Sequence, residues 1–113
     1  MPDPHALYDE ADKLKDAGKL DEAAAKLDEA LAADPNYALA HSALAVVLQK
    51  IGRHEEAIQH AQKSCELEPN DPFSYTALSV TYQRAFAGTN NMQYIRMAED
   101  AMERSRILQS GRH

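Results

Sequence analysis

The sequence predicts an all-α fold: an α-solenoid of three helix-turn-helix repeats, six antiparallel helices in all, with the last pair extended. Three observations predict it. The chain matches itself at an offset of 34 residues. Apolar residues within each period follow helical spacing. Only four Gly and five Pro occur among 113 residues, against many Ala, Leu, Glu, Lys and Asp. A chain of this length supports one hydrophobic core and not two.

The offset carries Leu7 onto His41 and Tyr75, Glu10 onto Leu44 and Leu78, and Ala11 onto Ala45 and Ser79. Leu14, Leu48 and Tyr82 also align, as do Gly18 with Gly52, Ala23 with Ala57, Ala30 with Ser64, and Pro35 with Pro69. The first repeat is expected over 4–37. Asp3 caps its first helix, and Pro4 sits in the first turn, where a missing N–H is harmless. Leu7, Ala11 and Leu14 supply the apolar stripe, and Gly18 the left-handed residue that ends it. The second helix, "LDEAAAKLDEALAA", stops before Pro35.

The second repeat, 38–71, follows the same plan: Leu44, Val47 or Leu48, and Ile51 form the stripe, and Gly52 makes the turn. Its second helix, "HEEAIQHAQKSCELE", stops before Pro69. Small residues at Ala11, Ala23, Ala30, Ala45 and Ala57 let neighbouring helices approach closely. Glu22–Lys26 and Gln59–Lys63 have the spacing of weak pairs on exposed faces.

The third repeat, 72–109, opens at Asp71 and Pro72 and then loses the period. The 34-residue offset puts Phe86 where a turn glycine belongs and Asn91 where an alanine belongs. The matching alanine is Ala98, after which Ser105 and Leu108 return to register with Ser64 and Leu67, so seven residues are inserted. Gly88 is expected to make the turn, and Asn90 to cap the next helix with Gln93 returning the bond. The first helix of the pair then runs through Phe86, and the second from about Asn91 to about Leu108. No charged residue lies between Ala85 and Ile95, so Phe86, Met92 and Ile95 are expected to form a small apolar cluster. Residues 110–113 are expected to be a disordered tail.

Within "YTALSVTY", a large residue, a Leu, a small residue and a Tyr (Tyr75, Leu78, Ser79, Tyr82) fall at spacings 3, 1 and 3. Together with the 34-residue period, this resembles the tetratricopeptide repeat, from residue 4 to about residue 109. The sequence departs from the family pattern at the first large aromatic, which is Leu7 and then His41. The resemblance implies that the first helix of each repeat lines a concave groove that receives peptide ligands. By repeat register, the groove residues are Tyr8, Asp12, Leu39, Ser42, Val46, Gln49, Phe73, Thr76, Val80 and Gln83. Members that grip the acidic tails of heat-shock chaperones carry Lys, Asn, Asn, Lys and Arg at five groove positions. Here those positions hold Tyr8, Asp12, Ala43, Phe73 and Ala77, so a carboxylate clamp is not expected.

The composition excludes other classes. A net charge of −6 argues against nucleic acid, which needs clustered Lys and Arg. The charge is graded: residues 1–37 hold ten acids and four bases, 38–71 five and three, and 72–113 three and five. No window reaches the ~18 apolar residues of a membrane span, and "MPDPHALYDE" has no signal-peptide pattern. The single cysteine, Cys65, excludes an internal disulfide and fits a reducing cytoplasm.

Chemistry-bearing motifs are few. "HEEAIQH" approaches the zinc-protease helix, but its second histidine would have to replace Ile58, and His54 and His60 lie on different faces. His41 takes a packing position, and Cys65 falls in the slot of Leu31, as a buried thiol would. No catalytic residue, metal site or cofactor is expected. The expected function is a non-enzymatic interaction module whose groove binds a protein or peptide with apolar anchors and a basic residue near Asp12. An alternative is a self-assembling scaffold, a homodimer through an uncapped last helix, with Met97 and Ile107 as the self-association residues.

Overall fold

A computed structural model describes residues 3–111. Six helices follow in order: α1 (Pro4–Asp16), α2 (Leu20–Ala33), α3 (Ala38–Ile51), α4 (His54–Leu67), α5 (Pro72–Thr89) and α6 (Gln93–Gln109). Each packs against the next in sequence, and α3 also meets α5, so the helix pairs stack in order.

The starts and stops follow local chemistry. An Asp3 carboxylate oxygen accepts from the His5 amide at 3.0 Å, and Asp71 does the same for Phe73 at 2.9 Å. Both caps precede a proline in the first helical turn. Gly18 and Gly52 adopt φ of 80° and 93°, which only glycine takes without strain. The core is built from alanine seams with leucines between them. Ala23, Ala30, Ala40, Ala57 and Ala85 are fully buried, so any larger side chain there would push helices apart. One cluster centres on Leu7, Leu27, Leu44 and Val47, the other on Ile58, Leu78, Tyr82 and Ala98.

Hydroxyl pairs tie helices within repeats. Ser42 and Ser64 bond at 2.6 Å between α3 and α4, and Thr76 and Ser105 at 2.7 Å between α5 and α6. The expected Glu22–Lys26 pair is replaced: Lys26 reaches Glu10 on α1 at 3.4 Å and Glu29 at 3.5 Å. That choice links two helices, although exposed pairs contribute little to stability.

The third repeat corrects three expectations. Shifted by 34 and 41 residues, Ile51 and His54 correspond to Ala85 and Ile95, yet α5 ends at Thr89 and α6 begins at Gln93. Four inserted residues therefore lengthen α5, two lengthen α6 and one enlarges the turn. Gly88 makes no turn. It is helical, and a Cβ there would lie 3.0 Å from His54 Cδ2 and 3.1 Å from Cε1, nearer still to Nε2. Glycine is needed for the close approach of α5 to α4. Asn90 ends α5 in the left-handed region at φ 61° instead of capping α6. The Asn91 side chain accepts from the Gln93 amide at 3.1 Å in its place.

The expected cluster also comes apart. Met92 is 68% exposed and faces away, while Phe86 and Ile95 border a shared cavity with Ala98 and Met102. Residues 87–93 are exposed, so burial does not account for their lack of charge. The extended start of α6 is instead held to the body of α5 by Tyr94, whose ring lies 5.9 Å from that of Tyr82. Of the expected tail, Ser110 and Gly111 form an ordered turn closing α6, with the Gly111 amide donating to the Leu108 carbonyl at 3.2 Å. The rest of the tail, 112–113, lies outside the described residues.

Candidate functional site

The groove is built by α1, α3 and α5, whose side chains reach it one helical turn apart. Between α1 and α3 a cavity of about 240 Å³ is bordered by Tyr8, Asp12, Leu39, Ser42 and Val46, with Lys15 on its rim and Leu27 and Val47 as floor. A second cavity of about 270 Å³ lies between α3 and α5, bordered by Leu39, Ser42, Phe73 and Ala77, with Glu68 and Asp71 at its edge. Leu39 and Ser42 belong to both, so the two cavities form one trough. Leu39 is 60% and Phe73 74% exposed, and both border the same cavity.

The trough is anchored at the first repeat. The Tyr37 ring packs 4.8 Å from His5 and 5.8 Å from Tyr8, and Tyr37 Oη bonds His5 Nδ1 at 3.1 Å. Burial first, and then Tyr8 and nearby acids, raise the Tyr37 pKa, so its hydroxyl keeps its proton. Asp12 pairs with Lys15 at 3.4 Å, which offsets its charge locally.

Six of the ten expected groove residues meet in this trough: Tyr8, Asp12, Leu39, Ser42, Val46 and Phe73. The other four do not join it. The Thr76 hydroxyl is held against α6 by Ser105 and donates to the Pro72 carbonyl at 3.2 Å. Gln83 donates to Ser79 at 3.2 Å and borders the cavity at the far end of the stack. Val80 is exposed and lines neither cavity of the trough, and Gln49 carries a buried Oε1 without a hydrogen-bond partner among the described residues. Sequence register does not reveal Ser64 of α4 and Glu68 just beyond its end, which also border the trough. A 34-residue offset between first helices carries no information about the second.

The two self-association candidates occupy different faces. Met97 lies beside Ile58 and Gln62 of α4, whereas Ile107 is 37% exposed and lines neither that site nor the cavity at the end of the stack. The uncovered end of the stack is formed by other residues: Phe86, Ile95, Ala98 and Met102, with Gln83, Glu99 and Arg106 around them.

Two groups with latent chemistry are structural. His41 is buried; its Nε2–H donates to the Pro35 carbonyl at 2.8 Å, so its Nδ1 accepts the His60 Nδ1–H at 3.0 Å. Burial first, and then His41, lower the His60 pKa. Cys65 donates to the Ser74 carbonyl at 3.3 Å, and burial with Asp71 and Glu66 pushes its pKa up to about 11. Among the described residues no three His, Cys, Asp or Glu side chains converge as a metal site would require, and no helix is long and apolar enough to cross a membrane.

None of the curated proteins matches the chain in sequence. Among solved structures it resembles MamA, with 18% identity and a TM-score of 0.83, covering 96% of this chain and 60% of that one. MamA of Desulfovibrio magneticus RS-1 (residues 41 to the end) gives 24% identity and a TM-score of 0.76, covering 94% and 56%. The chain thus spans less than two thirds of the length of these structures. The first tetratricopeptide domain of Spaghetti (RPAP3), bound to the HSP90 peptide SRMEEVD, gives 15% identity and a TM-score of 0.66, covering 95% and 93%. At such identities the likeness concerns the fold. The tetratricopeptide repeat family model matches residues 8–72, more than half of the sequence. With its stacked helix pairs and 34-residue period, the chain belongs to the tetratricopeptide repeat family.

Proposed function

We propose that the trough across α1, α3 and α5 binds a protein segment with two apolar anchors, and that the chain acts as an interaction module rather than an enzyme. One observation carries this reading: Leu39 and Phe73 stand exposed along a continuous trough whose cavities are about 240 and 270 Å³. Folding gains nothing from leaving such side chains in water, whereas a partner covering them gains ~25 cal/mol per Å² of apolar surface. Carboxylates at Asp12, Glu68 and Asp71 favour a basic residue between or beside the anchors.

The RPAP3 domain sets the contrast, since its peptide SRMEEVD is acidic. The five clamp positions here hold Tyr8, Asp12, Ala43, Phe73 and Ala77, and none supplies a cation. The test is selection from a peptide library, with SRMEEVD as the comparison. Enrichment of apolar-basic peptides, lost in Val46→Glu/Phe73→Glu with helicity retained, supports the reading. Binding of SRMEEVD in preference, or binding that survives both substitutions, refutes it.

A second reading, self-assembly through the third repeat, rests on a different observation: among the described residues the outer face of α5 and α6 has no neighbour.

A further inference from the structure

Repeat register shows what the outer end face lacks. In the first pair, Ala11, Ala24 and Leu27 are buried where α3 covers them, and in the second, Ala45, Ile58 and Ala61 are buried where α5 does. Of the corresponding residues of the third pair, Ser79 is covered by α6, its hydroxyl donating to the Ala98 carbonyl at 2.7 Å, while Glu99 and Met102 meet no further helix among the described residues. Around them Phe86, Ile95 and Met102 border an open cavity of about 310 Å³, with Ile95 36% exposed. An apolar floor of this kind on the last pair of a stack calls for a covering helix.

Its own first helix is a poor cover. Where α3 places Ala40, Ala43, Leu44 and Val47 against the preceding pair, α1 carries Ala6, Asp9, Glu10 and Lys13, all exposed. Head-to-tail stacking would bury those three charges, a costly step. The stack therefore has a polar end at α1 and an apolar one at α6.

We propose that the outer face of α6 binds a second copy of itself, antiparallel across a two-fold axis. The proposal rests on the self-assembly reading above and is independent of the trough. Ile95, Glu99, Met102 and Arg106 recur at spacings of four, three and four, which places them on one face of α6. Glu99 and Arg106 are two turns apart, about 10.5 Å along the axis, with Met102 between them. An antiparallel copy brings Glu99 opposite Arg106 in both directions and the two Met102 side chains together at the axis. The face is thus self-complementary, as an isologous interface must be. Among the described residues the Arg106 guanidinium pairs with Glu103 of its own helix, at 3.4 Å on the surface, a weak contact that it can exchange. The third repeat is also the one basic part of the chain, with five Arg against three acids. End-to-end pairing therefore holds the acidic first repeats of the two copies furthest apart.

The test is sedimentation equilibrium of the full chain from about 5 to 500 µM, a window suited to micromolar association. A monomer–dimer equilibrium is expected. Glu99→Arg alone and Arg106→Glu alone each set like charges opposite one another, and each should weaken dimerisation roughly tenfold or more. The double reversal, Glu99→Arg with Arg106→Glu, should restore it, because only an antiparallel self-pairing re-forms both contacts. Val46→Glu/Phe73→Glu should leave the dimer intact. A strict monomer across the range overturns both the geometry and the self-assembly reading. A dimer indifferent to the single reversals, or not rescued by the double one, overturns the two-fold arrangement alone.

Discussion

Replacing Gly88 with alanine tests whether the extended end of α5 leans on α4. In an unobstructed helix the change stabilises by about 1 kcal/mol, because alanine loses less backbone freedom and shields the chain. Here the added methyl would meet the His54 ring, whose Cδ2 and Cε1 lie 3.0 and 3.1 Å from its position. The ring heads α4 and is half-buried, with its Nδ1 out of reach of water or a partner. It must swing away, and overpacking of this kind costs ~1–3 kcal/mol. The overpacking cost wins in the native background, with a net loss of up to about 2 kcal/mol. In a His54→Ala background the obstruction is gone, and Gly88→Ala should stabilise by about 1 kcal/mol. The sign of the effect reverses between backgrounds, a coupling of ~1–3 kcal/mol. Chemical denaturation of the four proteins measures it, and thermal midpoints offer a second reading at ~4–8 °C per kcal/mol for a domain near this size. Equal stabilisation by Gly88→Ala in both backgrounds would refute the contact.

Three further outcomes are expected. Because burial and His41 depress the His60 pKa, the unfolded chain binds more protons there, so stability is complete above pH ~6.5 and is lost as the pH falls below it. Thermal midpoints should therefore drop between pH 7.5 and 5, and His60→Gln should drop less; equal slopes would exclude His60 as the cause. Cys65, with a pKa of about 11, should resist iodoacetamide at pH 8 until the chain unfolds, and rapid native-state labelling would contradict its burial. Asp71→Ala removes the carboxylate that accepts from the Phe73 amide and should cost about 0.5–2 kcal/mol in denaturant melts, while leaving the fold unchanged.

What the sequence disclosed, and what it withheld, divides along the range of the interactions. Caps at Asp3 and Asp71 and turns at Gly18 and Gly52 are fixed by residues within two or three positions, so spacing alone located them. Gly88 misleads for the same reason: locally it breaks helices, yet a partner 34 positions away, His54, decides its role. Asn90 likewise took the left-handed position that its side chain tolerates, leaving the cap to Asn91. In the trough, positions transferred between first helices, such as Leu39 and Phe73, were legible because both repeats share a period. Thr76 was not, since its hydroxyl answers to Ser105 on the helix beyond the insertion.

That hydroxyl contact has a counterpart within the chain. Ser42 stands 34 residues before Thr76, and Ser64 stands 41 before Ser105, so the bonds at 2.6 and 2.7 Å are one bond written twice. In the first pair the same places hold Tyr8 and Ala30, and the bond is missing. A link that closes inside one helix pair is inherited whole when that pair is duplicated, because both partners travel on the same stretch of sequence. The bond is also present in the third pair, where seven more residues lie between its two ends, because the helices that carry them are back in alignment at Ser105. Bonds that cross between units, such as Gln62 to Tyr82 at 2.7 Å and Cys65 to the Ser74 carbonyl at 3.3 Å, need partners on two different stretches and do not recur in this way.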